Sequence, residues 1–119
     1  MATIKSFTSL EQSKKLAEIL PLESADMVYT ITNGYHTPWI RIEKIDELYK
    51  DDFLCWSLAA LLNRLPFPIL YMEMVAGMIL WCCECHFIET DEVVKIEHCD
   101  NPVDACVAMV ERLHELKML

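Results

Sequence analysis

The densest chemistry in the chain is Cys82-Cys83-Glu84-Cys85-His86, with His98-Cys99 following close behind. Cys82 and Cys85 have the C-x-x-C spacing of zinc ribbons, and thiolate with imidazole is the ligand set zinc prefers. The ligand pool of a small zinc protein is therefore Cys82, Cys85, His86, His98 and Cys99. A zinc knuckle, however, bends the chain so that both sulfurs converge, with Gly or Pro to allow it, and the run contains neither. As a strand it sends Cys82, Glu84 and His86 to one face and Trp81, Cys83, Cys85 and Phe87 to the other. The two sulfurs then point apart. Cys83 and Cys85 read as small core residues beside Trp81 and Phe87, while Cys82 and His86 can meet His98 or Cys99 across the ladder. A redox C-x-x-C opens a helix after a strand, which this run does not.

Other chemistries lack their parts. There is no G-x-S-x-G, and two glycines supply neither a nucleophile elbow with its oxyanion loop nor a phosphate cradle. Of the histidines, His114 falls beside the apolar stripe of a helix and reads as surface, and His36 reads as a solvated loop residue before Pro38. His98, ending a strand near Asp100, is the one placed to do acid–base work with nearby carboxylates. No catalytic residue is assigned, and the expectation is a protein that is not an enzyme.

Charge narrows the partners. The 119 residues carry 10 Lys+Arg against 19 Asp+Glu, a net of −9. Nucleic-acid binding needs clustered cations for phosphate, so direct binding of that kind is not expected. Between Glu73 and Asp104, eight carboxylates stand against Lys95 alone. They read as a solvated acidic rim, or as a surface for a basic partner; an inhibitor that mimics nucleic acid is the sharper version. At 54% hydrophobic residues the chain is nevertheless apolar. Trp39, Trp56, Trp81 and the methionines exceed what one small core needs. Tyr35, Trp39 and Trp56 are the expected aromatic anchors of a partner surface.

These residues must be positioned by one α+β domain over 1–119, with no internal repeat, linker or low-complexity tract. Both Thr8-x-x-Glu11 and Ser9-x-x-Gln12 fit a capping box opening a first helix, which Pro21 stops. Met27–Thr32 has strand composition, Asn33-Gly34 is a turn signal, and Trp39–Glu43 alternates as a second strand before a polar loop from Lys44 to Asp52. Asp51 or Asp52 is expected to cap a helix through Cys55–Arg64, with Leu54, Leu58, Leu61, Leu62 and Leu65 as its buried stripe and Pro66 as its stop. Strands at Ile69–Val75, Met78–His86 and Glu92–His98 follow, the first two joined at Ala76-Gly77. A last helix is capped by Asp100 or Asn101 with Pro102 at its first position. The expected sheet is an antiparallel three-strand meander, with one or two N-terminal strands, packed against about three helices.

The run Leu65–Cys83 has the length of a membrane span, with Glu73 its only charge. A carboxylate near the centre costs about 3 kcal/mol, and Pro66 and Pro68 open the run. Two strands are expected instead, and no membrane partner. Both are apolar on both faces, so helices or another chain must cover both sides, and a homodimer is one solution. Met1–Phe7 has no signal-peptide pattern, so the six Cys read as reduced thiols and the location as cytoplasmic.

At Cys55-Trp56-Ser57-Leu58-Ala59-Ala60-Leu61-Leu62-Asn63-Arg64-Leu65-Pro66 and Asp100-Asn101-Pro102-Val103-Asp104-Ala105-Cys106, the chain resembles a family of short, uncharacterised acidic proteins from gut anaerobes and their prophages and mobile elements. The resemblance extends to the opening helix, Ser9 to Leu16, and so over nearly the whole chain. It implies a setting, not a reaction, and carries no cofactor or catalytic residue. The Cys82–His86 run lies outside the recurring pattern. The leading expectation is a cytoplasmic protein-interaction module of such a gene set, binding through an apolar patch with an acidic rim. The zinc protein and the acidic mimic are the alternatives.

Overall fold

The computed structural model describes residues 5–40 and 52–119. Helix α1 (Leu10–Leu16) opens on Ser9, whose hydroxyl accepts from the Gln12 N–H while the Gln12 amide oxygen accepts from the Ser9 N–H. Of the two capping boxes in the sequence this is the one used, and Thr8 is released for another task. A 3-10 turn at Leu22–Ser24 follows Pro21 and leads into β1 (Met27–Thr32). Asn33 and Gly34, with φ of 52° and 82°, make the tight turn to β2 (Tyr35–Ile40). The second strand thus begins earlier than its alternation suggests. Positions 41–43 and the expected loop from 44 to 51 lie outside the described residues.

The next segment corrects the sequence reading. Phe53–Cys55 is a strand, β3, paired antiparallel to Met27–Tyr29 of β1. Helix α2 begins only at Leu58 and runs to Arg64, capped by Ser57 rather than by Asp51 or Asp52. The open edge of β1 supplies partners for three backbone units that the helical periodicity would otherwise claim, and tertiary pairing overrides local pattern. Leu54 is buried from the strand, while Leu61 and Leu65 are buried from the helix and the turn after it.

Strands β4 (Pro68–Val75), β5 (Met78–Phe87) and β6 (Glu92–Cys99) form the expected meander. The N-terminal strands do not extend it: they make a separate three-stranded sheet in the order β2-β1-β3, beside one in the order β4-β5-β6. Among the described residues the architecture is α+β, two antiparallel sheets with three helices. The apolar run over 65–83 becomes the β4–β5 hairpin, and among the described residues no helix is long and apolar enough to cross a membrane.

Helix α3 (Pro102–Glu115) starts on the Asn101 cap with Pro102 in its first turn. It lays Val103, Cys106, Val107, Val110 and Leu113 into a core shared with Leu16, Trp56, Leu61, Cys83 and Cys85. One face of β5 is thereby covered. Met72, Met74, Met78 and Ile79, toward the hairpin tip, stay exposed.

Two polar joints hold these layers. Thr8 is fully buried: its N–H donates to the Trp56 carbonyl at 2.9 Å, its Oγ1 accepts from the Trp56 N–H at 3.1 Å, and its carbonyl accepts from the Tyr29 hydroxyl at 2.7 Å. Its hydroxyl also meets that of Ser13 on α1 at 2.8 Å. Burial pushes the Tyr29 hydroxyl up to about 12, so it remains a donor. The second joint is Asp104, which accepts from Lys5 at 2.9 Å, Gln12 at 2.8 Å and the Asn101 amide at 2.8 Å. Partial burial works to raise the Asp104 carboxyl, and Lys5 and Gln12 overcome it, so its pKa lies below the ordinary value of 3.8.

Replacing Thr8 with Val strands the Trp56 N–H and should cost about 1–3 kcal/mol, read as a lower urea midpoint at unchanged m-value. An unchanged midpoint would show that water replaces the hydroxyl. For Asp104 the depressed folded pKa means that its stabilisation is complete above the unfolded value near 4 and is lost as pH falls through the folded one. Asp104→Asn should therefore cost about 1 kcal/mol at neutral pH, discounted for an exposure of about a third. The difference from wild type should vanish in acid denaturation series.

Candidate functional site

The alternation of β5 sorts the cysteine run as its spacing implies. Cys83 and Cys85 point into the core beneath α3, where Cys106 joins them. Cys85 and Cys106 are held above the usual thiol range, first by their hydrogen bonds to Cys83 and then by burial. They are proton-holding packing groups. Cys82, Glu84 and His86 lie on the opposite face.

That outer face is a polar network. The Tyr71 hydroxyl donates to Glu84 at 3.1 Å, His86 Nε2 lies 3.3 Å from the same carboxylate, and Lys95 reaches Glu84 at 3.6 Å and Glu97 at 3.1 Å. The Tyr71 hydroxyl, helped by His86 and Lys95, holds the Glu84 carboxyl below the usual carboxylate range despite some desolvation. Tyr71, and after it Glu97, hold the Lys95 ammonium above its ordinary range.

At the far end of this face the ladder is irregular. Trp81 pairs with Cys99 and Cys83 with Ile96, so Glu97 and His98 together stand opposite Cys82. This is a β-bulge, and His98 takes a φ of 61° within it. The bulge turns the imidazole across the central strand, where Nε2 lies 3.1 Å from a Glu73 carboxylate oxygen on β4. Cys82 sits between the two strands, fully buried. The ligand atoms of Glu73, Cys82 and His98 all lie within 4.8 Å of one another.

Of the five residues in the sequence-derived ligand pool, the structure brings together Cys82 and His98. Cys85 faces the core, His86 pairs with Glu84, and Cys99 packs partly buried on the core side. Glu73 was missed. Its signal was the lone charge in an apolar strand, legible only once the register placed it one strand from Cys82.

The expected anchors divide as well. Tyr35 and Trp39 on β2 are 76% and 52% exposed, whereas Trp56 is fully buried, with its indole N–H donating to Ser24 at 2.9 Å. Trp56 serves the core and has no surface to offer a partner. His114 is exposed on α3 as expected; His36 is exposed on β2, its ring edge-on to Phe53 at 5.7 Å.

An apolar cleft that composition did not reveal opens where β4 begins and β5 ends. It encloses about 560 Å³ between Phe67, Phe87, Ile88 and Met118, with Glu89 and Glu92 on its border. Phe67 and Ile88 are 65% and 68% exposed. A second cleft of about 390 Å³ shares both and continues along Pro68 and Ile69. Phe67 holds a φ of 41°, a conformation costly for an aromatic residue.

Set against known protein families, characterised proteins and solved structures, the chain has no match.

Cys99 is the one thiol of the six that is not buried, and partial burial raises its pKa. A thiol reagent at mildly alkaline pH should label one cysteine per folded chain, and Cys99→Ser should abolish that labelling. Rapid labelling of a second thiol before unfolding would show that a wall of the fold opens.

Proposed function

We propose that the chain is a small protein-interaction module of a mobile-element or prophage gene set, acting in the cytoplasm and docking an apolar, basic-flanked segment of another protein. The supporting observation is the cleft at Phe67: concave, lined by aromatic and aliphatic side chains, and bordered by Glu89 and Glu92. Bulky apolar groups seated in a desolvated pocket contribute most of the energy of such contacts. Acidic groups at the rim favour Lys or Arg beside the docked side chain. The strained backbone at Phe67 presents its ring to solvent instead of to the core, which accords with a binding role. The setting is the one implied by the resemblance noted at the Trp56-Ser57-Leu58 and Asn101-Pro102 motifs.

The acidic-mimic reading has less support. Lys95 stands inside the acidic face, within 3.6 Å of Glu84 and 3.1 Å of Glu97, and breaks the single-sign surface a mimic needs.

Selection from a random-peptide display library tests the proposal. Enriched peptides should carry a bulky apolar residue next to Lys or Arg. Phe67→Ala should weaken the best of them about tenfold or more, and Glu92→Lys should shift the preference away from basic flanks, with both variants retaining wild-type circular dichroism. Loss of binding on Trp39→Ala with Phe67→Ala silent would move the dock to β2 and overturn the assignment to the cleft. No enrichment at all would overturn the module.

A further inference from the structure

We propose that Glu73, Cys82 and His98 form a binding site for a borderline-soft divalent cation of the zinc class. The donor set is one carboxylate oxygen, one sulfur and one imidazole nitrogen, each a normal zinc ligand. Its members come from the three strands of one sheet, held by the register of both ladders. A tetrahedral zinc with bonds of about 2.0–2.3 Å sets its ligand atoms about 3.3–3.8 Å apart. The Glu73 oxygen and His98 Nε2 are 3.1 Å apart, and all three donors lie within 4.8 Å. Drawing the donors from within 4.8 Å to zinc spacing closes a gap of at most about 1.5 Å between ligand atoms.

The backbone supplies the second observation. An ordinary strand would turn His98 away from Cys82, because successive side chains alternate. The bulge and the left-handed φ of 61° at His98 reverse that and bring the ring to the side where Cys82 lies. A non-glycine residue in that conformation costs about 1 kcal/mol. Strain spent on aiming an imidazole toward a buried thiol is what a ligand site needs; a surface ion pair of Glu with His needs none of it. Glu84 and Glu97 on the same face share the single Lys95, so one net negative charge is left there to favour a cation.

Entry is from the outer side. Glu73 and His98 are 38% and 41% exposed and can part to admit the ion, whereas Cys82 is fully buried beside them. On binding, the Cys82 thiol gives its proton to solvent and a sulfur–metal bond forms; the proton that His98 Nε2 shares with Glu73 passes to Nδ1 or to solvent, and that hydrogen bond is replaced by one nitrogen–metal and one oxygen–metal bond. Three protein ligands leave one coordination position for water or an incoming ligand.

The test is titration of chelator-treated full-length protein with zinc chloride, followed by native mass spectrometry and calorimetry. One zinc per chain is expected. Cys82→Ser and His98→Asn, the latter keeping a residue tolerant of left-handed backbone, should each weaken binding by at least the roughly 10–100-fold that outer-shell changes cost. Glu73→Gln should act in the same direction. Loaded with cobalt(II), the wild type and Cys99→Ser should show a thiolate-to-cobalt charge-transfer band that Cys82→Ser lacks. Absence of stoichiometric zinc, or equal binding by all three ligand variants, overturns the site. Should Cys82→Ser fail to fold, the two half-exposed positions decide alone.

Discussion

The exchange of hydrogen bonds between Thr8 and Trp56 is the interaction on which the arrangement rests. It joins the segment before α1 to the junction of β3 and α2, and the bridge from Phe7 to Ser57 continues the pairing on either side. Through the Thr8 carbonyl it reaches β1, and through the Thr8 hydroxyl it reaches Ser13 in α1. Thr8, Ser13, Tyr29 and Trp56 are all buried, and a buried polar atom without a partner costs more than the bond it forgoes. The network is closed: among the described residues no buried side-chain nitrogen or oxygen lacks a partner. Trp56 can then sit fully inside the molecule, its one polar atom satisfied by Ser24.

From that joint the division of labour between the sheets follows. The β2-β1-β3 sheet is built against the N-terminal segment and α1, so it cannot also extend the meander. The β4-β5-β6 sheet is left with α3 as the cover on one face, and α3 shields only part of it. The remainder is the material from which both proposed sites are made: a polar face bearing Glu73, Cys82 and His98, and an apolar end at Phe67 and Ile88.

What could be read from the residues was what depends on local pattern. The capping box at Ser9, the Asn101-Pro102 start, the two tight turns and the three strands of the meander all announce themselves within a few positions. Strand alternation also separated Cys82 from Cys83 and Cys85 correctly. What stayed hidden depends on pairing between distant segments. Phe53–Cys55 carries a helical stripe, and only the free edge of β1 makes it a strand. Thr8 looked like a cap because its burial depends on Trp56, 48 positions away. The bulge at His98 has no local mark, neither Gly nor Pro, and so Glu73 could not be joined to Cys82 in advance. Trp56 was mistaken for a surface residue because a helix through Cys55–Arg64 leaves position 56 off the leucine stripe, whereas the structure places it between β3 and the Ser57 cap.

The reach of the Asp104 joint sets the order in which the chain can finish. Lys5 and Asp104 are 99 positions apart, and the helix that carries Asp104 follows both sheets in the chain. Pairings of such separation close late, because the intervening chain must first be ordered. On a ribosome, β5 is therefore made before anything exists to shelter its inner side. Until α3 emerges, Trp81, Cys83, Cys85 and Phe87 form a sticky strip on a nascent chain. An early stop codon anywhere before position 102 would leave that strip bare for good, a form fit for chaperones and proteases rather than for a partner.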